Sequence, residues 1–158
     1  LWASVQRHHT MAGRASPIIR HLLEERRLLR ARLGHGAVEK ELKGAEYDLE
    51  KAKTSLEEGD PKWATIKACY SMFHAARALL YDAGYRERSH AALVTALREL
   101  YVKPGRLAEE ALSDLENAMD LRAEADYALT FSDEGARRVI KDAERFITMA
   151  KEVLKKQS

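Results

Sequence analysis

Residues 132–154 read SDEGARRVIKDAERFITMAKEVL, and their apolar side chains recur every three or four positions. Ser132 fits the N-cap of a helix, and Asp133 and Glu134 place negative charge in its first turn, where the helix dipole favours it. The apolar face of this predicted helix comprises Ala136, Val139, Ile140, Ala143, Phe146, Ile147, Ala150, Val153 and Leu154. So continuous a face predicts a long amphipathic helix that packs against other helices.

Four more segments upstream show helical spacing. The first stripe ends at Gly59 and comprises Val38, Leu42, Ala45, Leu49, Ala52 and Leu56. The second begins at Asp60-Pro61, ends at Gly84 and comprises Trp63, Ile66, Tyr70, Phe73 and Leu80. We interpret its aromatic rings as core residues rather than as a surface for stacking bases. A shorter helix capped by Ser89 carries Leu93, Leu97 and Leu100, and the fourth stripe comprises Leu107, Ala111, Leu115, Ala118, Arg122, Ala125 and Leu129.

The connections between these segments are short, and no alternating strand pattern is present. The sequence therefore predicts an all-α fold, an up-and-down bundle of four to five antiparallel helices over residues 37–158. Residues 1–36 form a basic arm with seven arginines and two glutamates, whereas the rest of the chain holds 20 basic and 23 acidic residues. One further N-terminal helix is predicted from Ile18, Ile19, Leu22, Leu23, Leu29 and Leu33. We expect it to pack on the bundle or to be a solvated terminal helix, rather than to bind a partner or a membrane surface.

Charge and motif content argue against several classes of protein. The longest uncharged runs, residues 68–76 and 89–97, hold nine residues each. That is about half of the roughly 20 apolar residues needed to cross a bilayer, so no membrane span is predicted. Cys69 is the single cysteine and no signal peptide is evident, so we expect a cytoplasmic protein. No phosphate-binding glycine loop and no metal-binding histidine spacing occur, so we expect neither a cofactor nor a metal.

Arg122 is the most informative candidate site residue, because it interrupts a stripe of leucines and alanines. A charge in such a position must be paired or must lie at a cleft or interface. Asp126 follows four residues later on the same helical face, with Tyr127 beside it. Two interpretations stay open: a salt bridge that fixes the helix register, or an arginine presented to phosphate or to a second subunit.

Several segments together resemble the HEPN family (higher eukaryotes and prokaryotes nucleotide-binding). The resemblance covers about residues 37–155, in matching order, and is carried by residues 63–80 (WATIKACYSMFHAARALL), Gly84-Tyr85, Ser89-His90, residues 121–127 (LRAEADY) and residues 143–147 (AERFI). It implies a bundle of four to five helices that forms a two-fold dimer. It also implies a toxin or metal-independent ribonuclease, often encoded beside a small nucleotidyltransferase that neutralises it.

The family's ribonuclease motif is an arginine followed, after four to six intervening residues, by a histidine. Arg122 matches the arginine, but the positions expected for the histidine hold Tyr127, Ala128 and Leu129. Metal-free RNA cleavage needs a proton-transfer group and a cation, and Arg122 can supply only the cation. His74 or His90 would have to supply the proton-transfer group from a different helix.

Three hypotheses follow. The leading one is a HEPN protein of a toxin–antitoxin or nucleotidyltransferase-linked system that binds nucleotide, RNA or a partner protein through Arg122, Asp126 and Tyr127, without cleavage by the standard motif. The second is an active endoribonuclease toxin that uses Arg122 with His74 or His90. The third is a structural module that only dimerises.

Overall fold

The computed structural model describes residues 16–125 and 131–157. The helices in these ranges are α1 (Pro17–Glu24), α2 (Gly34–Glu57), α3 (Pro61–Asp82), α4 (His90–Leu97), α5 (Glu109–Ala125) and α6 (Asp133–Gln157). The strands are β1 (Leu28–Arg30) and β2 (Tyr85–Glu87), and a π-helical turn, Arg98–Val102, continues α4. The fold is the predicted all-α helical bundle with one small antiparallel sheet added to it.

The predicted helix starts are confirmed by their caps. Asp60 Oδ1 accepts a hydrogen bond from Trp63 N at 3.1 Å, and Ser89 Oγ accepts one from Ala92 N at 3.1 Å. Ser132 Oγ does the same for Gly135 N at 3.0 Å. Each cap satisfies one of the backbone donors that the first turn of a helix leaves free, which is why these short polar residues mark the boundaries.

Helix α3 lies at the centre of the bundle and packs against α2, α5 and α6. Its buried residues are mostly small: Ala64, Thr65, Ile66, Ala68, Cys69, Ser71, Met72, Ala75, Ala76, Ala78, Leu79 and Leu80. The core stripe predicted for this helix is wrong at Trp63 and Tyr70, which are 50% and 41% exposed. Small side chains let three helices approach α3 closely, so the core lies on the alanine-rich side and these two rings lie outside it.

The N-terminal helix also departs from the prediction, because it ends at Glu24 rather than continuing to Leu33. Arg26 takes the left-handed conformation (φ +60°), and the next amide, Arg27 N, donates to Leu22 O at 3.0 Å. This is a Schellman motif, which closes a helix and redirects the chain.

The redirected chain forms β1, which pairs antiparallel with β2. Strands of three residues are too short to show the alternation by which strands are recognised, so the sequence gives no sign of this sheet. Ile19, Leu22 and Leu28 are buried in the same apolar cluster as the bundle. Residues 16–30 therefore pack against the helical core.

Candidate functional site

One face of α3 is not covered by another helix. Helices α2 and α5 both pack on α3 and on α6, but their described parts make no extended contact with each other. The side chains that α3 places between them alternate at four- and three-residue spacing, and we call them the open stripe: Trp63, Lys67, Tyr70, His74, Arg77 and Tyr81. Rings interspersed with basic side chains are typical of surfaces that bind single-stranded nucleic acid.

Arg122 reaches the open stripe from α5. Its Nε and Nη2 atoms donate hydrogen bonds to the Tyr70 hydroxyl at 3.1 and 2.9 Å, and its Cζ lies 5.2 Å from the centre of the Tyr70 ring. Arg122 is half-buried, and its positive charge also acts on the buried thiol of Cys69. Burial raises the pKa of Cys69 to about 12, with Arg122 opposing the shift, so the thiol stays protonated.

His74 lies one helical turn from Tyr70 and is held by two carboxylates of α2. Its Nδ1 is 2.6 Å from Glu41 Oε2, and its Nε2 is 3.4 Å from Asp48 Oδ2. The imidazole also lies against Gly44, where a Cβ atom would stand 3.5 Å from the ring. Partial burial raises the pKa of Asp48, while the charges of His74 and Lys67 oppose that shift.

Arg77 forms a second polar centre at the other end of the stripe. Its Nη2 donates to Tyr81 Oη at 2.5 Å, and its Nε lies 3.0 Å from Glu87 Oε2 of β2, without the alignment of a hydrogen bond. Its guanidinium also faces the ring of Phe73, with Cζ 5.6 Å from the ring centre. Burial raises the pKa of Tyr81, and the Arg77 charge opposes this shift.

The predicted site residues are thus brought together only in part. Arg122 and His74 share the open face of α3, with Tyr70 between them. His90, at the start of α4, is exposed, and its ring packs on Phe73 with the ring centres 4.8 Å apart. Asp126 and Tyr127 lie outside the described residues, so the predicted pairing of Asp126 with Arg122 stays a prediction.

Two features are absent from residues 16–125 and 131–157. No helix there combines the length and the apolar composition needed to cross a membrane. No group of three or more histidine, cysteine, aspartate or glutamate side chains there is arranged to hold a metal ion. A shallow groove of about 280 Å³ lies between α2 and α6, lined by Lys53, Leu56, Glu57, Arg137, Ile140, Lys141 and Glu144, and it contains none of the predicted site residues.

Sequence reasoning missed most of the surroundings of the site. Tyr70 and Trp63 were assigned to the core, and Glu41, Asp48 and Arg77 were not singled out. The available signal was that Lys67, His74 and Arg77 lie on the same helical face as Trp63 and Tyr70. A face that holds three basic side chains does not face an apolar core.

These features define a class of protein: an all-α bundle whose central helix exposes rings and cations beside an arginine from a second helix. A family model described as the HEPN domain matches residues 38–153. The chain belongs to the HEPN domain family. The predicted family membership is therefore confirmed.

Individual relatives agree with this assignment. The chain is 33% identical over 121 residues to a UPF0332 protein of Archaeoglobus fulgidus, an alignment that covers 75% of this chain and 96% of the relative. It is 30% identical over 112 residues to a protein of Methanocaldococcus jannaschii named a "putative toxin", with 70% and 84% covered. The crystal structure of a Thermus thermophilus protein shares the fold, with a TM-score of 0.63, 17% identity, and coverage of 73% of this chain and 97% of that one.

Proposed function

We propose that this chain is a toxin-type HEPN protein that binds single-stranded RNA or nucleotides at the open stripe and Arg122. One observation carries the proposal: the Arg122 guanidinium is held against Tyr70 on the same face as the half-exposed indole of Trp63. Rings offer stacking surfaces to any base, and a guanidinium offers a planar set of donors to phosphate. The name of the Methanocaldococcus relative supports the toxin part of the proposal.

The proposed activity is binding without cleavage by the family's standard motif. Arg122 has no histidine after the expected spacing. His74 is the nearest substitute along the open stripe, but both of its ring nitrogens face carboxylates, at 2.6 and 3.4 Å. In this arrangement His74 is not set to take a proton from a ribose 2′-hydroxyl, whereas Arg122 can still stabilise phosphate charge.

A second candidate is an active, metal-independent endoribonuclease toxin. The observation in its favour is that His74 lies four residues after Tyr70 on α3, so a histidine and Arg122 share one face. This candidate predicts RNA cleavage by the purified protein that is abolished by His74→Ala or His90→Ala with the fold intact. Cleavage that survives both substitutions, or no cleavage at all, would reject it.

The proposal extends to partners. We propose that the chain forms a homodimer and that a small nucleotidyltransferase neutralises it, because the resemblance to the HEPN family implies both. Sedimentation of the purified chain tests the first, and co-purification with a nucleotidyltransferase encoded beside it tests the second. A dimer with no affinity for RNA or nucleotides would instead support the purely structural module.

Trp63→Ala tests the binding proposal, with Tyr47→Ala as a matched control. Tyr47 is 63% exposed and also faces a cation, Lys51, but lies on α2 and outside the open stripe. Loss of one stacking ring costs about 1–3 kcal/mol per base, so Trp63→Ala should weaken the affinity for single-stranded RNA at least about fivefold. Tyr47→Ala should leave it unchanged, and equal effects of the two substitutions would contradict the proposed site.

A further inference from the structure

A cluster of arginines covers the small sheet, beyond the end of the open stripe. The described residues of the 20–32 and 84–90 segments hold seven arginines and three glutamates. They come from two distant parts of the chain, and the pairing of β1 with β2 brings them together.

The register of the sheet shows which side chains share its outer face. Leu29 pairs with Arg86, and Arg88 N donates to Arg27 O at 2.8 Å, which extends the ladder by one residue. Paired residues and alternate residues of a strand lie on the same face, so Arg27, Leu29, Arg86 and Arg88 are neighbours. All three of these arginines are exposed, and we call them the sheet arginines.

The acidic residues nearby balance only part of this charge. Glu87 pairs with Leu28 on the opposite face and contacts Arg77, while Glu25 lies 3.7 Å from Arg27. Arg88 stands directly opposite Arg27, and like charges directly opposite each other destabilise a sheet. Arg88 also precedes Ser89, the N-cap of α4, where the helix dipole disfavours a cation. A bound anion would therefore relieve two unfavourable placements, that of Arg88 opposite Arg27 and that of Arg88 at the start of α4.

We infer that the sheet arginines bind the phosphate backbone of single-stranded RNA and continue the path of the open stripe. The open stripe runs along α3 from Trp63 to Tyr81, a distance of about 27 Å at a rise of 1.5 Å per residue. Gly84 and β2 follow directly, and the Arg77–Glu87 contact joins the end of the stripe to the inner face of the sheet. Arg86, on the outer face, is near enough for its charge to act on the Tyr81 hydroxyl at the end of the stripe. This inference rests on RNA being the ligand of the proposed function.

The test compares the unchanged chain with the sheet variant, Arg27→Gln/Arg86→Gln/Arg88→Gln. The control is Arg137→Gln/Arg138→Gln/Lys141→Gln, which removes the same charge from exposed positions of α6. The probe is oligouridylate of about 20 nucleotides, longer than the roughly 4–16 nucleotides that one single-strand site covers. Affinity is measured by fluorescence anisotropy over a series of salt concentrations, and thermal unfolding is recorded for each variant.

The sheet variant should bind RNA about tenfold more weakly, and its plot of log affinity against log salt should be shallower by about 2, the value for three lost phosphate contacts. Its melting temperature should equal or exceed that of the unchanged protein, and the α6 control should match the unchanged protein in affinity and slope.

An unchanged affinity and slope in the sheet variant, with binding still lost in Trp63→Ala, would overturn the inference and leave the proposed function standing. Absence of RNA binding by the unchanged protein at low salt would overturn both. Binding of polyglutamate that is lost in the sheet variant, with RNA binding retained, would assign the sheet arginines to an acidic protein and also overturn the inference.

Discussion

The hydroxyl of Tyr70 accepts two hydrogen bonds from the guanidinium of Arg122, at 3.1 Å from Nε and 2.9 Å from Nη2. The two residues are 52 positions apart in the chain, and their contact ties α5 to the exposed face of α3. Arg122, which interrupts the apolar stripe of α5, thus has a hydrogen-bond partner at the edge of the bundle. The same contact places the cation beside an exposed ring, which is the arrangement on which the proposed function rests.

The contributions of the Tyr70 ring and of its hydroxyl to RNA binding can be separated by substitution. Tyr70→Phe keeps the ring near Arg122 and removes the hydrogen-bond acceptor, whereas Tyr70→Ala removes both. Since stacking is a property of the ring, we expect Tyr70→Phe to change RNA affinity less than about threefold and Tyr70→Ala to lower it about tenfold, within the range of 1–3 kcal/mol per stacked base. Anisotropy titrations measure both. Equal losses in the two variants would assign the effect to the hydroxyl.

The contact of His74 with Glu41 should contribute to stability. Glu41 is largely buried, with a side-chain exposure of 15%, and lies 2.6 Å from the imidazole. Glu41→Gln weakens a charge-assisted hydrogen bond and should lower the free energy of unfolding by about 1–2 kcal/mol in urea denaturation.

A matched control for this substitution is available on the same helix. Glu39 lies 3.3 Å from His35, and both side chains are more than half exposed. An exposed pair of this kind contributes little, so Glu39→Gln should change the free energy of unfolding by less than about 0.5 kcal/mol. A cost for Glu39→Gln as large as that for Glu41→Gln would contradict the role given to burial.

Cys69 should be unreactive in the folded protein. Burial raises the pKa of its thiol to about 12, so the reactive thiolate is scarce at pH 8. Labelling by a thiol-specific disulfide reagent should therefore be slow and should follow the rate of unfolding. Because the folded pKa lies above that of an unfolded cysteine, this group makes the protein less stable as pH rises from the ordinary cysteine value towards 12. Rapid labelling of the native protein at pH 8 would contradict the burial of this side chain.

Residues 16–30 should be needed for full stability. Leu28 of β1 is completely buried, whereas Leu33 is 36% exposed. Leu28→Ala should cost about 2–5 kcal/mol, as in other cores, and Leu33→Ala should cost much less. Chemical denaturation of both variants measures the difference. A similar loss of unfolding free energy in Leu28→Ala and Leu33→Ala would show that β1 is not part of the cooperative fold.

The parts of the fold that could be predicted are those set by local chemistry. The N-caps at Asp60, Ser89 and Ser132 each act on an amide three residues away, and the apolar face of α6 repeats within a single helix. The orientation of α3 could not be predicted in this way, because its buried residues surround most of the helix and leave no single apolar stripe. The large rings of Trp63 and Tyr70 led to the prediction that their face lies in the core, but the neighbouring helices pack on the alanine-rich side instead.

The candidate site was predictable to a similar degree. Arg122 was identifiable because a charge in an apolar stripe must be paired or lie at a cleft or interface. His74 was named, like His90, only as a histidine that could reach Arg122 from another helix. The partners of Arg122 and His74 were not identifiable, since the contact of His74 with Glu41 joins residues 33 positions apart. Such contacts depend on how helices pack, and no local spacing encodes them.

The proposed function requires that RNA or nucleotides bind at Arg122 without being cleaved. One experiment tests this by comparing the unchanged protein with Arg122→Ala and, as control, with Arg138→Ala, which replaces an arginine on α6 with 73% side-chain exposure. Binding of single-stranded RNA and its cleavage are followed in the same samples. We expect salt-sensitive binding that Arg122→Ala weakens about tenfold or more, no effect of Arg138→Ala, and no cleavage in any sample. RNA turnover that Arg122→Ala abolishes, or binding that Arg122→Ala leaves intact, would contradict the claim.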